Sequence, residues 1–560
     1  MIYLILILFS FCNIPDIKYN FSEYITKEQI NKRKTLLIYP IKNTSSSQYS
    51  FYSEGITESI IHDLSMVKGI GVISQEDRKK ALKELAYKQA MGLEESEVSK
   101  IAILTGADLF LMGSYSVESG KIRIIARVID AVSSVIIKSI KIDGLVRDIF
   151  TLQDNLTQTL LSTSGEPSND DLAYLNNKTK HSDKAFESFS KGLEIEEANP
   201  TGALEYYKKS LNIEPEYLEV LDRAGAVSIL LDQPTESIIY FNKAQTIREK
   251  KGLKNSTAYS NALAQIGNIY YNKGNYEKAL EYYYNDKKIK ENLGLQNTFE
   301  YSNSLSNIGI LYYSKGDSKK ALEFYLNAQS IRKNLGLENT SAFSITLNNI
   351  GNIYKSKGDY NSALFNYNKA LSKRDSLGLQ NSSGYANTLG NIGIVYHSMG
   401  NRDKALDFYK RAQSIRDSLG LQNTSGYATT LGNIGNLFNI QKKYDNALEY
   451  YKRAQSIREK IKIQNSPGYA TTLNNMGSIF SSKGDFKKAK DFYLNAQSIR
   501  EKLGLKSTQE YAVTLYNLGN LYEYKGDFKK AEEYYKESNS IKEAVGTKNS
   551  DSESLDSIDP

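Results

Sequence analysis

Two rhythms of apolar and polar positions divide the chain. From Tyr217 onward one pattern returns every 42 residues, its copies opened by Tyr217, Tyr259, Tyr301, Phe343, Tyr385, Tyr427, Tyr469 and Tyr511. A period of this length marks stacked supersecondary units that bury a continuous core only against their neighbours. Upstream, short β-branched runs alternate with helical spacing, which predicts a separate folded region over residues 34–165.

Punctuation within each copy predicts two helices. A hydroxyl column (Ser256, Thr298, Thr340, Ser382, Thr424, Ser466 and Thr508) supplies N-caps for the first helix. Pro215 and Pro467 occupy the next position, the first helical residue, where proline is pre-organised. Gly225, Gly267, Gly309, Gly351, Gly393, Gly435, Gly477 and Gly519 fall inside the first helix. Each costs about 1 kcal/mol relative to alanine, so close approach of a partner helix is expected. The helix ends at Gly274, Gly316, Gly358, Gly400, Gly484 and Gly526, and Asn or Asp follows to cap the second helix. Lys442-Lys443 replaces that pair in the copy from Tyr427, which predicts a different turn there. Ala279, Ala321, Ala363, Ala405, Ala447, Ala489 and Ala531, with rings such as Tyr283, Tyr325 and Tyr367 one turn on, mark the buried face of the second helix. Its Lys and Glu runs predict a solvated outer face.

Gly, Tyr or Phe, Ala, aromatic and Ala at these offsets resemble the tetratricopeptide repeat. The 42-residue period and phrases such as TLNNIGNIYKSKGDYNSALFNYNKALSKRDSLGL resemble its kinesin-light-chain subclass. The array is expected over residues 184–547, one short unit preceding eight long ones, with a disordered acidic tail over residues 548–560.

In residues 34–165 the order β-α-β-α-α-β-β-β-α is expected. Strands are placed at Thr35–Ile41, Gly69–Ser74, Asp108–Val117, Lys121–Ala131 and Ser134–Ile142; helices are placed at Glu54–Val67, Asp77–Gln89, Glu97–Leu104 and Ile149–Leu161. The alternation in the last two strands predicts burial on one face. The phrases LLIYPIKN, SEGITESIIHDLS, GVISQ and GADLFLMGSYSVESGKIRIIARVIDAVSS resemble the domain shared by the TolB N-terminal region and the CsgG and FlgO lipoproteins. That resemblance implies an accessory or assembly role in the bacterial envelope. Residues 166–183, rich in Ser, Asn and Asp, are expected to be a linker. The fold class is therefore α+β multidomain: a small mixed α/β domain followed by an all-α tetratricopeptide superhelical solenoid.

Composition narrows the chemistry. The net charge of +7 is spread over 560 residues, which gives no argument for nucleic acid. Met1–Cys12 is an apolar run too short to span a bilayer; it suits an export signal at residues 1–12, with a buried strand as the alternative. Cys12, the only cysteine, ends the run and resembles the acylated cysteine of a bacterial lipoprotein, implying attachment to a membrane. The chain would then stand in the cell envelope; a cytoplasmic location is the alternative. One cysteine excludes an intrachain disulfide. His62, His181 and His397 are far apart in sequence and read as structural or surface residues. No nucleotide-loop, zinc-protease or nucleophile-elbow motif occurs, so neither an enzyme, a cofactor nor a metal is expected.

Function is expected in the repeat groove. The resemblance implies that first helices line a concave surface that binds a peptide or protein segment. Groove-facing positions lie two before and one after the repeated glycine. The first set is Asn307, Asn349, Asn391, Asn433, Asn475 and Asn517; the second includes Asn268, Asn352, Asn436 and Asn520. An amide both donates and accepts, so such a ladder suits an extended backbone. The other reading is that these amides bond within and between units and shape the superhelix. Members that grip a C-terminal carboxylate use Lys and Arg here, where this chain mostly carries Asn, Ser, Thr, Gly and Tyr. The expected function is a non-enzymatic interaction scaffold; the alternative is a sensor whose α/β domain binds a ligand and relays it through the repeats.

Overall fold

The computed structural model describes residues 34–67, 70–73, 107–131, 133–164, 168–177 and 181–554. Met1–Cys12 and the helices expected at Asp77–Gln89 and Glu97–Leu104 lie outside them.

β1 (Thr35–Ile38), β2 (Lys42–Asn43), α1 (Tyr52–Ser65), β3 (Gly71–Val72), β4 (Leu109–Glu118), β5 (Lys121–Asp130), β6 (Ile136–Leu145) and α2 (Ile149–Ser164) form the N-terminal region. The sheet runs β3-β1-β4-β5-β6, parallel through its first three strands and antiparallel from β4 onward, and β2 also pairs with β4. Ser119 and Gly120 both take positive φ (50° and 75°), the geometry that closes the two-residue β4–β5 hairpin. In β5, Ile122, Ile124, Ala126 and Val128 are buried, while Arg123 and Arg127 face outward. In β6 Ile140 is buried and Ile142 half-buried while Ser139, Lys141 and Asp143 are exposed, the one-sided burial expected, and Ile136 and Ile137 are exposed at its start.

The expected linker is corrected. α3 (Asn169–Asn177) crosses it and buries Leu175, and α4 (Asp183–Ile195) follows, then α5 (Pro200–Ile213). One apolar core runs from Ile38, Ile56 and Ile60 through Leu156 and Leu175 into Phe186, Phe189, Tyr207 and Tyr217. Gly55 makes that contact possible: a Cβ there would lie 2.0 Å from Ser190 Oγ on α4. Polar composition concealed a short helix that is anchored mainly by one buried leucine.

Eight long helix pairs follow, from α6 (Leu218–Leu230), α7 (Pro234–Lys250), α8 (Thr257–Asn272) and α9 (Tyr276–Asn292) to Gln509–Tyr524 and Phe528–Ser554. The hydroxyl column caps as expected: Ser256 and Thr424, for instance, accept from Tyr259 N and Tyr427 N at 3.2 and 3.3 Å. Pro467 is the first helical residue. Pro215 is not, because its unit lacks the hydroxyl cap and α6 starts at Leu218 after a turn from Glu214. The glycine column is explained by rings, since a Cβ at Gly393 would meet Tyr409 at 2.5 Å. Lys442 keeps the common turn instead of changing it, taking φ 57° where neighbouring units place glycine. The last helix, Phe528–Ser554, extends into the residues expected to form the acidic tail. Among the described residues no helix is long and apolar enough to cross a membrane.

Candidate interaction groove

First helices of successive units touch one another, as α6 and α8 do and as Ser341–Ser356 and Ser383–Ser398 do, so they form the inner wall of the curve. The expected amide positions lie on that wall. Asn268, Asn307, Asn349, Asn352, Asn391, Asn433, Asn436, Asn475 and Asn517 are half-buried, and Asn520 is exposed.

Hydrogen bonding splits these amides into two kinds. Asn268, Asn352, Asn436 and Asn520 each accept from the hydroxyl of their own unit's second-helix tyrosine, namely Tyr283, Tyr367, Tyr451 and Tyr535, at 2.6–2.7 Å. They lock first helix to second. Asn391, Asn475 and Asn517 donate to Asn348, Asn436 and Asn474 of the unit before, at 3.3, 2.8 and 3.3 Å. Asn307, Asn349 and Asn433 have no partner among the described residues, which leaves their donors and acceptors facing the groove. Where Ile394 replaces the tyrosine's amide partner, the buried Tyr409 hydroxyl has no hydrogen bond.

The second helices also carry a buried basic column that the reading of their Lys and Glu runs as a solvated face did not include. Arg248, Lys290, Arg332, Arg374, Arg416, Arg458 and Arg500 recur at 42-residue spacing, all at most 5% exposed. The spacing was the available signal. Arg416 shows the geometry: Nη2 donates to Asn387 of its own unit at 2.7 Å and Nη1 to Thr430 of the next at 2.8 Å. Arg458 and Arg500 repeat it with Thr472 and Thr514. Arg332, Arg416, Arg458 and Arg500 bond only to neutral oxygens, and burial holds each guanidinium below its ordinary value, Arg332 pushed down to about 10. The first two long units differ. Arg248 pairs with Asp222, and Lys290 lies 2.8 Å from Asp286, which stands where later units carry alanine.

The N-terminal end of the groove is closed by α1. Glu58, Ile61, His62 and Ser65 face α6 and α8 across a cavity of about 510 Å³ that extends to Asn303, Asn307 and Asn349. Thr257, the first residue of α8, donates its hydroxyl to the Ser65 carbonyl and ties the wall to the array. Two histidines that sequence separates by more than a hundred positions meet here. His62 and His181 turn Nε2 toward Glu219 at 3.8 and 3.7 Å. His397 stays apart, half-buried, and burial with the nearby Arg402 lowers its imidazole. Among the described residues no group of three or more His, Cys, Asp or Glu is arranged to hold a metal ion.

Comparison with known proteins identifies the repeat. Tetratricopeptide repeat models match residues 300–376, 343–418 and 426–502, and residues 260–285 and 512–544. The array thus carries tetratricopeptide repeats. Solved structures similar to the chain include apo RapI, at 20% identity over 50% of this chain and 98% of that one with a TM-score of 0.42. The Rap conjugation regulator of plasmid pLS20, solved with the Phr* peptide, is 15% identical over 61% and 95% with a TM-score of 0.45. BtubC from P. vanneervenii is 24% identical over 41% and 90% with a TM-score of 0.34. A Rhizobium meliloti (strain 1021) protein provisionally named adenylate cyclase 3 is 29% identical over 135 residues. Those residues are 24% of this chain, which spans about a fifth (21%) of that curated relative's length.

Proposed function

We propose that the chain is a non-enzymatic interaction scaffold whose repeat groove takes up an extended peptide or protein segment. The supporting observation is the inner wall, where Asn307, Asn349 and Asn433 keep free amides and a cavity of about 510 Å³ opens at the closed end. An extended segment exposes one N–H and one C=O per residue, and an amide can serve both. The match to the Rhizobium meliloti relative covers about a fifth of that protein, and no step of its chemistry is carried over.

Changing Asn307, Asn349 and Asn433 together to Ala tests the reading, because their side chains make no bond to other described residues. Partner recovery in a pull-down quantified by mass spectrometry is expected to fall at least about tenfold, each buried hydrogen bond contributing about 1 kcal/mol. Undiminished recovery by the folded triple variant would overturn it.

The reading extends to a bacterial envelope location, on the apolar run Met1–Cys12 and the resemblance carried by residues 34–165. Labelling by a fatty-acid analogue that disappears in Cys12→Ala is the expected result; an unlabelled soluble protein would favour the cytoplasm. The sensor alternative gains from one observation: the α/β region shares its core with the array and supplies the groove's end wall.

A further inference from the structure

The seam between α1 and the array holds a cluster of ionisable groups at the closed end of the groove, apart from the amide ladder. At its centre Glu219, 6% exposed, faces two imidazoles, His62 from α1 and His181 from the segment leading into α4. His181 is oriented from its other side, with Nδ1 2.6 Å from Glu214 and its ring stacked on Tyr217 at 3.7 Å between centroids. Asp222 on α6 and Arg248 on α7 also act on His62, and Tyr174 on α3 lies beside Asp63, Glu219 and Arg248. The same turns of α1 present Glu58, Ile61, His62 and Ser65 to the cavity.

We propose that this cluster is a pH-sensitive latch: it holds α1 against the array near neutrality, and acid releases it and withdraws the end wall of the groove. The proposal rests on the groove being the binding site and adds how that site is regulated.

The geometry sets the direction. Ile56 and Ile60 of α1 lie in the core that the sheet shares with the array, whereas His62 and Ser65 at the helix's last turns meet Glu219 and Thr257 by polar contacts, so those turns can part from the array while the start of the helix stays packed. Burial is the largest influence on His62 and lowers its imidazole; Glu219 and Asp222 pull the other way, and Arg248 and His181 reinforce the lowering. Asp222 is already neutralised by Arg248, and Glu219 is divided between two rings. The docked ring therefore stays neutral at a pH where a hydrated imidazole, near 6.5, takes up a proton. Above about 6.5 neither state binds that proton and docking is at full strength. Below it only the opened state does, and the docking equilibrium weakens by up to about tenfold per pH unit until the docked ring itself titrates.

With only three histidines, each ring carbon–proton signal can be assigned by NMR from single variants. The full chain is titrated, and amide hydrogen exchange is measured near pH 7.5 and 5.5 after correction for intrinsic rates. His62 is expected to titrate below 6.5. Protection in residues 52–65, 218–230 and 257–265 should fall at least about tenfold in acid, while residues 425–482 hold theirs. His62→Gln should flatten the pH dependence of the seam. A His62 that titrates at or above 6.5, a seam indifferent to pH, or the same acid loss in His62→Gln would each overturn the latch; if that variant fails to fold, the wild-type titration and exchange decide. The groove test is run near pH 7.5, so failure of the groove and failure of the latch are separate results.

Discussion

The two ends of the repeat array use one scaffold with different electrostatics. Near the α/β region the buried basic column is matched by carboxylates, Arg248 by Asp222 and Lys290 by Asp286, and the groove is closed by α1. Towards the other end the same column, as at Arg416, Arg458 and Arg500, lies among hydroxyls and amides. A buried ion pair and a buried cation in neutral hydrogen bonds are different solutions to one desolvation problem. Identical backbone geometry can therefore carry different local charge.

The largest test of that contrast is Lys290→Met. It strands the Asp286 carboxylate, 1% exposed, and should destabilise that unit by about 3–5 kcal/mol, read as lost exchange protection in Tyr276–Asn292. The pair Asp286→Ala with Lys290→Arg recreates the later units and should stay within about 1 kcal/mol of wild type, as an exchange of one solved arrangement for another. If both variants cost the same, the two ends do not differ as described.

Packing inside a unit, in contrast, should be alike at both ends. A Cβ at Gly435 would lie 2.7 Å from the Tyr451 ring, and one at Gly225 would lie 2.9 Å from Phe241. Each Gly→Ala change should cost about 1–3 kcal/mol of local stability, the rings being held on every side. A large difference between the two would mean that the ends diverge in packing as well as in charge.

The smallest effect is expected in the unit from Tyr427. Lys442 holds φ 57° and Lys443 gives α-helix Tyr444–Lys460 no side-chain cap, while Asn401 caps the preceding unit. Lys442→Gly should raise stability by about 0.5–1 kcal/mol and Lys443→Asp by about as much, measured by exchange in that helix. No gain from either would show that surrounding packing already relieves the strain.

Much of this was legible in one dimension. The caps at Ser256 and Thr424, the turn asparagines and aspartates, and the glycine opposite each ring are local or near-local devices, and a 42-residue period exposes them by repetition. The amide column was legible in position and not in role. Whether an asparagine meets a tyrosine hydroxyl, as Asn352 does, or faces open groove, as Asn349 does, depends on where the second helix aims its ring.

By itself the sequence determined the repeat, its two helices and their boundaries, because capping, backbone conformation and apolar periodicity act over a few residues. Tertiary structure alone decided that the presumed linker joins the core, that α1 closes the groove, and that His62 and His181 converge on Glu219. Those contacts join residues distant along the chain. They are selected by total apolar burial and by the fit of surfaces, and neither quantity is written in any short stretch of residues.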